Sequence, residues 1–322
     1  MFEHMIVAVN AVLPSFLIIA LGLLVRRRGK LDDTSLGKFN SVAFRVFLPC
    51  QVFRSIYDAP IGEVFDAKLV IFTFVGLIAS GGIALATAVL TEKRGDRRGV
   101  MAQGMFRGNY VLLGIPLLES LFGGSATGLA SLMIAVNIPV YNVLSVIFLE
   151  MFAGGKIDLR KMLRDIALNP LIDATLVALL AKAVNLPVYA FPAFASALKS
   201  LAAVATPLCL FILGASFAPA GIKDYARSLW ITVALKLVVI PALALACAAA
   251  IGIRGVGLGV VMMSFGPPTA VNSYTMAREL GGDGELAASI VVVDTALSCL
   301  TLFGWIVLLR TLGLFGKVKS EK

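Results

Sequence analysis

Apolar residues recur along the chain in ten long stretches, each separated from the next by a short polar or charged run. They cover residues 5–25, 36–56, 69–90, 100–121, 126–148, 166–184, 198–217, 228–251, 256–277 and 286–309. At 1.5 Å per residue, helices of this length approach the ~30 Å hydrocarbon thickness of a bilayer. The pattern predicts an all-α polytopic membrane protein with ten transmembrane helices. Two stretches carry polar and helix-breaking residues in their middle. The fourth has Arg107, Gly108, Asn109, Gly114 and Pro116; the ninth has Gly266, Pro267 and Pro268, followed by Thr269, Asn272, Ser273 and Tyr274. Proline deletes a backbone donor and frees a carbonyl about one turn earlier, and glycine permits an unwound conformation. Both helices are therefore predicted to break near the midplane, where freed backbone groups and small polar side chains can hold a solute.

Composition agrees with this pattern. The 322 residues are 59% hydrophobic and 15% charged, against about 25% charged in soluble domains. The formal charge of +9 sits largely in the loops between stretches. There it reads as membrane topology, and no aromatic–basic interleaving or zinc-finger spacing points to a nucleic-acid partner. With the N-terminus outside, 16 basic residues fall in cytoplasmic loops and 8 on the other side, which predicts both termini outside. The first stretch lacks a basic region before it and precedes Arg26, Arg27 and Arg28, so it reads as a retained helix. Cys50, Cys209, Cys247 and Cys299 lie in apolar stretches without metal-ligand spacing, and the single histidine, His4, precedes the first stretch. No metal or other cofactor is implied. HExxH and Walker A patterns and a nucleophile–base arrangement are absent from the sequence, which argues against an enzyme or an ATP-driven pump.

The stretches divide into five and five. Residues 1–150 form a first unit, 151–165 a short cytoplasmic linker, 166–310 a second unit and 311–322 a tail. Landmarks recur between the units: Pro14 and Pro170 are 156 positions apart, Pro49 and Pro207 158, Pro116 and Pro268 152, and Asn137 and Asp294 157. An odd helix count per unit places the second copy in the membrane upside down. Inverted repeats of this kind bind their substrate where discontinuous helices cross.

Several residues are candidates for that site. Gly108, Asn109, Gly114 and Pro116 form one half and Pro267, Pro268, Thr269, Asn272 and Ser273 the other. Asn109 has the donors to hold a carboxylate, and half-helix N-termini offer free amides and a positive dipole end. In the fifth stretch Asn137, Tyr141 and Asn142 share a helical face by their spacing and either line the pocket or bond to neighbouring helices. Asp294 lies inside the strongly apolar tenth stretch, where an isolated ionised carboxylate is costly. It carries a coupling proton, pairs with a base such as Lys236, or helps bind a cation. Arg107 either attracts an anion or stabilises the fold. Gln51 is a candidate for the facing wall, Arg45, Arg54 and Lys236 can snorkel, and Asp173 complements the start of the sixth helix.

GNYVLLGIPLL at 108–118, NIPVYN at 137–142, Asn169-Pro170, TPLCLFILG at 206–214 and FGPPTAVNSYTMA at 265–277 together resemble the auxin efflux carrier family, in its bacterial branch. This family includes carriers assigned to malonate or malate and the plant PIN-type auxin exporters. The resemblance implies a fold similar to the bile acid/sodium symporter superfamily. Helices one, two, six and seven would form a scaffold, and helices three to five and eight to ten a core whose fourth and ninth helices cross as an X. It further implies secondary transport of a small organic anion across a bacterial inner membrane, with both termini periplasmic, by an elevator-like shift, with H+ or Na+ as coupling ion and a homodimer through the scaffold. The linker at 151–165 is too short for the regulatory loop of the plant members. A sodium-coupled symporter using Asp294, Ser298 and Thr269, or a membrane sensor built on a transporter fold, are the competing readings.

Overall fold

The computed structural model describes residues 2–59, 66–153, 159–217 and 219–315. The basic tail residues Lys317, Lys319 and Lys322, and Lys156 of the linker, lie outside the described residues. The chain forms α1 (Phe2–Arg27), α2 (Asp33–Val42), α3 (Leu48–Tyr57), α4 (Ala67–Thr91), α5 (Gly95–Phe106), α6 (Ile115–Phe122) and α7 (Thr127–Phe152). The second half holds α8 (Leu159–Ala167), α9 (Pro170–Ala183), α10 (Pro192–Ser216), α11 (Ala226–Ala234), α12 (Ile240–Ala250), α13 (Gly255–Phe265), α14 (Asn272–Glu279) and α15 (Gly284–Thr311). This is an all-α polytopic membrane protein. Five helical stretches, Ala67–Thr91, Thr127–Phe152, Pro192–Ser216, Ile222–Ala250 and Gly284–Thr311, are long and apolar enough to cross a bilayer by length and composition. Among the described residues no β-sheet forms. Large apolar side chains such as Leu17, Ile71, Leu180 and Leu300 stay exposed, as a lipid solvent favours.

Local chemistry sets the helix starts. Asp66 accepts from the Leu69 amide at the head of α4, and Asp283 from the Leu286 amide at the head of α15, each at 3.0 Å. Asn169 does the same for α9, where Pro170 takes the first helical position and Asp173 lies in the first turn. The linker expected at 151–165 is partly helical, because the basic, amphipathic run in α8 winds before α9 begins.

Prolines explain the irregular turns. Ala43–Phe47, Tyr110–Gly114 and Leu235–Val239 are π-helical, and each precedes a proline by two residues: Pro49, Pro116 and Pro241. The wider turn carries the helix past a ring that cannot donate and would strike the carbonyl four residues earlier. The carbonyl freed by Pro241 belongs to Leu237 and accepts from Trp305 Nε1 at 3.1 Å.

The helices pack in two groups. α1 lies along α10, and α3 against α9 and α10. At the first of these contacts the backbones touch: a Cβ on Gly22 would stand 2.1 Å from the Phe211 carbonyl oxygen, and one on Gly214 2.0 Å from that of Ile19. In the second group α5 packs against α4, α7 and α11, α13 against α12, and α14 against α15.

Candidate functional site

The fourth and ninth stretches each hold two short helices separated by a break, as expected, but only the second break falls at its prolines. α5 ends at Phe106, and Arg107 is extended, with φ −76° and ψ 113°. α13 ends at Phe265, and α14 resumes at Asn272. The first unwinding lies at Arg107–Asn109, upstream of Gly114 and Pro116, which the π turn keeps within a helical stretch. The half-helix ends Phe106 and Phe265 are 159 positions apart, close to the spacing of the other landmarks and unlike the 152 of Pro116 and Pro268.

The two unwound segments pair with each other. Gly108 and Thr269 form an isolated antiparallel bridge. The Asn109 amide donates to the Pro268 carbonyl at 2.8 Å, and the Ala270 amide to the Arg107 carbonyl at 3.4 Å. Backbone groups that the broken helices release in the membrane interior thus satisfy one another. Gly108 allows this approach: a Cβ there would lie 3.1 Å from Tyr141 Oη and 3.3 Å from Lys236 Nζ. Tyr141 Oη donates to the Ser264 carbonyl, which Pro268 leaves without its helical donor.

A cavity of about 90 Å³ lies against this crossing. Arg107, Gly108, Asn109, Tyr141, Asn142, Asn272 and Gln51 line it, so seven of the sequence candidates meet there. The start of α14 and the turn after Asn109 both face it, and helix starts favour anions. Asn137, Gly114, Pro116, Pro267, Pro268, Thr269, Ser273, Lys236 and Asp294 stand outside its wall. Asn137 Nδ2 donates to Ser264 Oγ at 3.1 Å, so it braces α7 against α13. Thr206, Cys209 and Ser55 line the cavity and were not singled out as site residues. Thr206 Oγ1 accepts from Gln51 Nε2 at 2.7 Å, and the local likeness of LPCQVF at 48–53 to TPLCLF at 206–211 was the available signal.

Three buried charges surround the crossing. Arg107 Nη1 donates to the Tyr141 carbonyl (3.3 Å) and Ser145 Oγ (3.1 Å), and Nη2 to Asn142 Oδ1 (2.9 Å). Its Nε has no acceptor, and among the described residues no carboxylate pairs with it. Lys236 Nζ donates to the carbonyls of Phe106 and Phe265, each at 3.4 Å. These are the C-terminal ends of α5 and α13, where the helix dipole favours a cation. Asp294 Oδ2 lies 2.5 Å from Thr269 Oγ1, its Oδ1 lacks a partner, and among the described residues no direct ion pair joins it to Lys236. Thr269 Oγ1 also lies 2.8 Å from the Gly104 carbonyl. One hydroxyl hydrogen therefore faces two acceptors.

The two ends of the site differ. A second cavity of about 310 Å³ shares Gln51 and Ser55 with the first and is bounded by Arg54 and Asp58, an ion pair at 3.2 Å. Tyr189 donates to Asp58, and burial and that carboxylate push its phenol up to about 12, so it stays a donor. At the opposite end α14 is tied down: Asn40 Nδ2 donates to the Thr275 carbonyl (3.2 Å), and Glu279 accepts from Ser41 Oγ (3.0 Å) and pairs with Arg45 (3.2 Å). Among the described residues no group of three or more His, Cys, Asp or Glu is placed to hold a metal ion.

Comparison with known proteins gives a consistent result. The family described as membrane transport protein matches residues 7–306. An uncharacterized transporter of Methanocaldococcus jannaschii is 24% identical over 315 residues, covering 94% of this chain and 99% of its own. An uncharacterized transporter of Methanothermobacter thermautotrophicus is 24% identical, covering 93% of this chain and 98% of its own. A candidate malonate transporter of Rhizobium meliloti is 24% identical, covering 93% of this chain and 95% of its own.

Proposed function

The chain belongs to the membrane transport protein family, and from that membership we propose that it is a secondary carrier for a compact organic anion. The observation that carries the reading is the pairing of the two helix breaks, with Asn109 bonded to Pro268, against a cavity lined by Arg107, Asn109, Asn142 and Asn272. Two helix starts and a buried guanidinium that has no carboxylate partner among the described residues favour negative charge there. Pockets for drug-sized ligands run to roughly 300–1,000 Å³, so about 90 Å³ suits a small mono- or dicarboxylate better than a bile acid or an auxin-sized molecule. The malonate assignment of the Rhizobium relative is in keeping with that size.

The packing groups support a division of labour. Helices α1, α3, α9 and α10 would form the scaffold, and the crossing helices with α4, α7, α11, α12 and α15 the moving core of two inverted repeats. The cavity reaches toward the Tyr57 end of α3 while α14 is latched to α2, as expected of a carrier caught open to one side. By the loop charges the open side is the outer one. Homodimerisation through the scaffold belongs to the same reading.

Coupling to sodium is disfavoured by Lys236. In carriers of this architecture the ends of broken helices coordinate the ion, and here an ammonium bonds to both of those ends. Asp294 is the group suited to a coupling proton. A proton on its carboxyl would let it donate to Thr269 Oγ1 while Thr269 donates to Gly104, giving each acceptor a donor. The test is uptake of labelled malonate, acetate and malate by proteoliposomes at controlled pH and sodium. The reading expects uptake of at least one acid without sodium; a strict sodium requirement favours the symporter, and uptake of none, with a stable partner protein, favours a sensor.

A further inference from the structure

A third, larger concavity is one that the transport reading does not use. It lies between α4 and α12, has a volume of about 670 Å³, and is walled almost wholly by apolar side chains. Ile71, Val75 and Ile83 of α4 and Leu243 of α12 are exposed along it, and Phe265 forms part of its floor. At one end stands Lys68, whose Nζ donates to the Ile251 carbonyl at 2.6 Å. An ammonium has three donors, and among the described residues this carbonyl is the one acceptor bonded to it. Arg254 follows Ile251 by three residues and adds positive charge at that end. Asp66, the nearest acid in sequence, is engaged as the cap of α4.

We propose that this groove binds one acyl chain of an anionic phospholipid whose phosphate is held by Lys68. Three features select that occupant. The wall is apolar and exposed on helices long and apolar enough to cross a bilayer, where the surrounding solvent is lipid. From Lys68 to Ile83 the groove follows α4 for about 22 Å at 1.5 Å per residue, longer than one leaflet's share of the ~30 Å hydrocarbon core. The positive charge lies at the groove's end, where a headgroup would sit. The chain would press on Phe265, the last residue of α13 before the break, where Gly76 brings α4 close enough that a Cβ would lie 2.9 Å from the ring. Bound lipid would then stiffen one arm of the crossing.

Native mass spectrometry of the full chain in detergent, titrated with phosphatidylglycerol and phosphatidylcholine, tests this. The wild type should retain one phosphatidylglycerol saturably, with a preference over phosphatidylcholine of about fivefold, the effect of one interfacial lysine. Val75→Trp, or Ala79→Trp if the first variant is unstable, fills the groove and should abolish the saturable site. Lys68→Gln should keep chain binding and lose the preference. Retention of the site in a folded groove-filling variant, or an unchanged preference in Lys68→Gln, would overturn the proposal. Cross-linking of two copies through Cys247, which lines the groove, would assign it instead to a second copy of the chain.

Discussion

The backbone amide of Asn109 donates to the carbonyl of Pro268 across 2.8 Å, joining residues that are 159 positions apart in the chain. The same spacing separates the ends of the half-helices before each break, Phe106 and Phe265. Each break thus supplies the partner that the other lacks, and the cavity lies beside the pair.

Gly108 is the tightest point of that pairing. Gly108→Val would push its side chain against Tyr141 Oη and Lys236 Nζ, since a Cβ alone comes within 3.1 and 3.3 Å of them. Overpacking of this kind costs about 1–3 kcal/mol. The expected outcome is a lower melting temperature and loss of uptake, with Gly108→Ala intermediate; thermal unfolding and initial uptake rates measure both.

Lys236 bridges the ends of two half-helices. Lys236→Met would leave the carbonyls of Phe106 and Phe265 without that donor, and Asp294 without a nearby cation. Removing one member of a set of buried charges destabilises by about 3–5 kcal/mol. Adding Asp294→Asn should recover part of that loss, so the double variant is less destabilised than the sum of the single ones. Denaturation of all four proteins closes the cycle.

Asp294 and Thr269 share too few hydrogens when the carboxyl is ionised. Asp294→Asn supplies a permanent donor in place of the proton. Uptake driven by a pH gradient should lose its response to that gradient, while exchange of substrate at equal pH continues. Paired flux measurements with and without the gradient check this; an unchanged response removes Asp294 from coupling.

Much of this was legible in the sequence. The recurring apolar stretches gave the all-α polytopic class, and Gly-Pro-Pro at 266–268 gave the second break. The first break was legible only as lying somewhere between Arg107 and Pro116. Pro116 is the conspicuous residue there, yet a π turn absorbs it, and the chain unwinds at Arg107–Asn109, where no proline marks the place. Asn109, Asn142, Asn272 and Gln51 could be chosen because polar residues in apolar helices need partners. Thr206 was marked only by the local likeness of LPCQVF to TPLCLF, and Cys209 not at all, since a small thiol on an apolar helix packs without leaving a signal. The direct pairing considered for Asp294 and Lys236 shows the other limit. Both are lone charges in apolar stretches, but only geometry distinguishes an ion pair from a lysine on helix ends and an aspartate on a threonine.

Glu279 holds the closed end of the site. Its pair with Arg45 is half in water and contributes only about 0–1 kcal/mol to stability. Glu279→Gln should therefore leave the melting temperature nearly unchanged while loosening α14 from α2. In a background lacking Cys50, Cys247 and Cys299, a thiol reagent added from the α2 side should reach Cys209, which lines the cavity, faster in the variant than in the parent.

The central claim is that the crossing is the transport site. Its most direct measurement is counterflow of labelled malonate into proteoliposomes bearing the wild type, Asn109→Ala or Arg107→Gln, each first shown to be folded by its melting curve. Losing a hydrogen bond to a charged ligand costs about 1.5–3 kcal/mol, or roughly tenfold to a hundredfold in affinity. The account predicts counterflow by the wild type and a loss of that size in both variants. Wild-type counterflow from folded Asn109→Ala and Arg107→Gln proteins would contradict it.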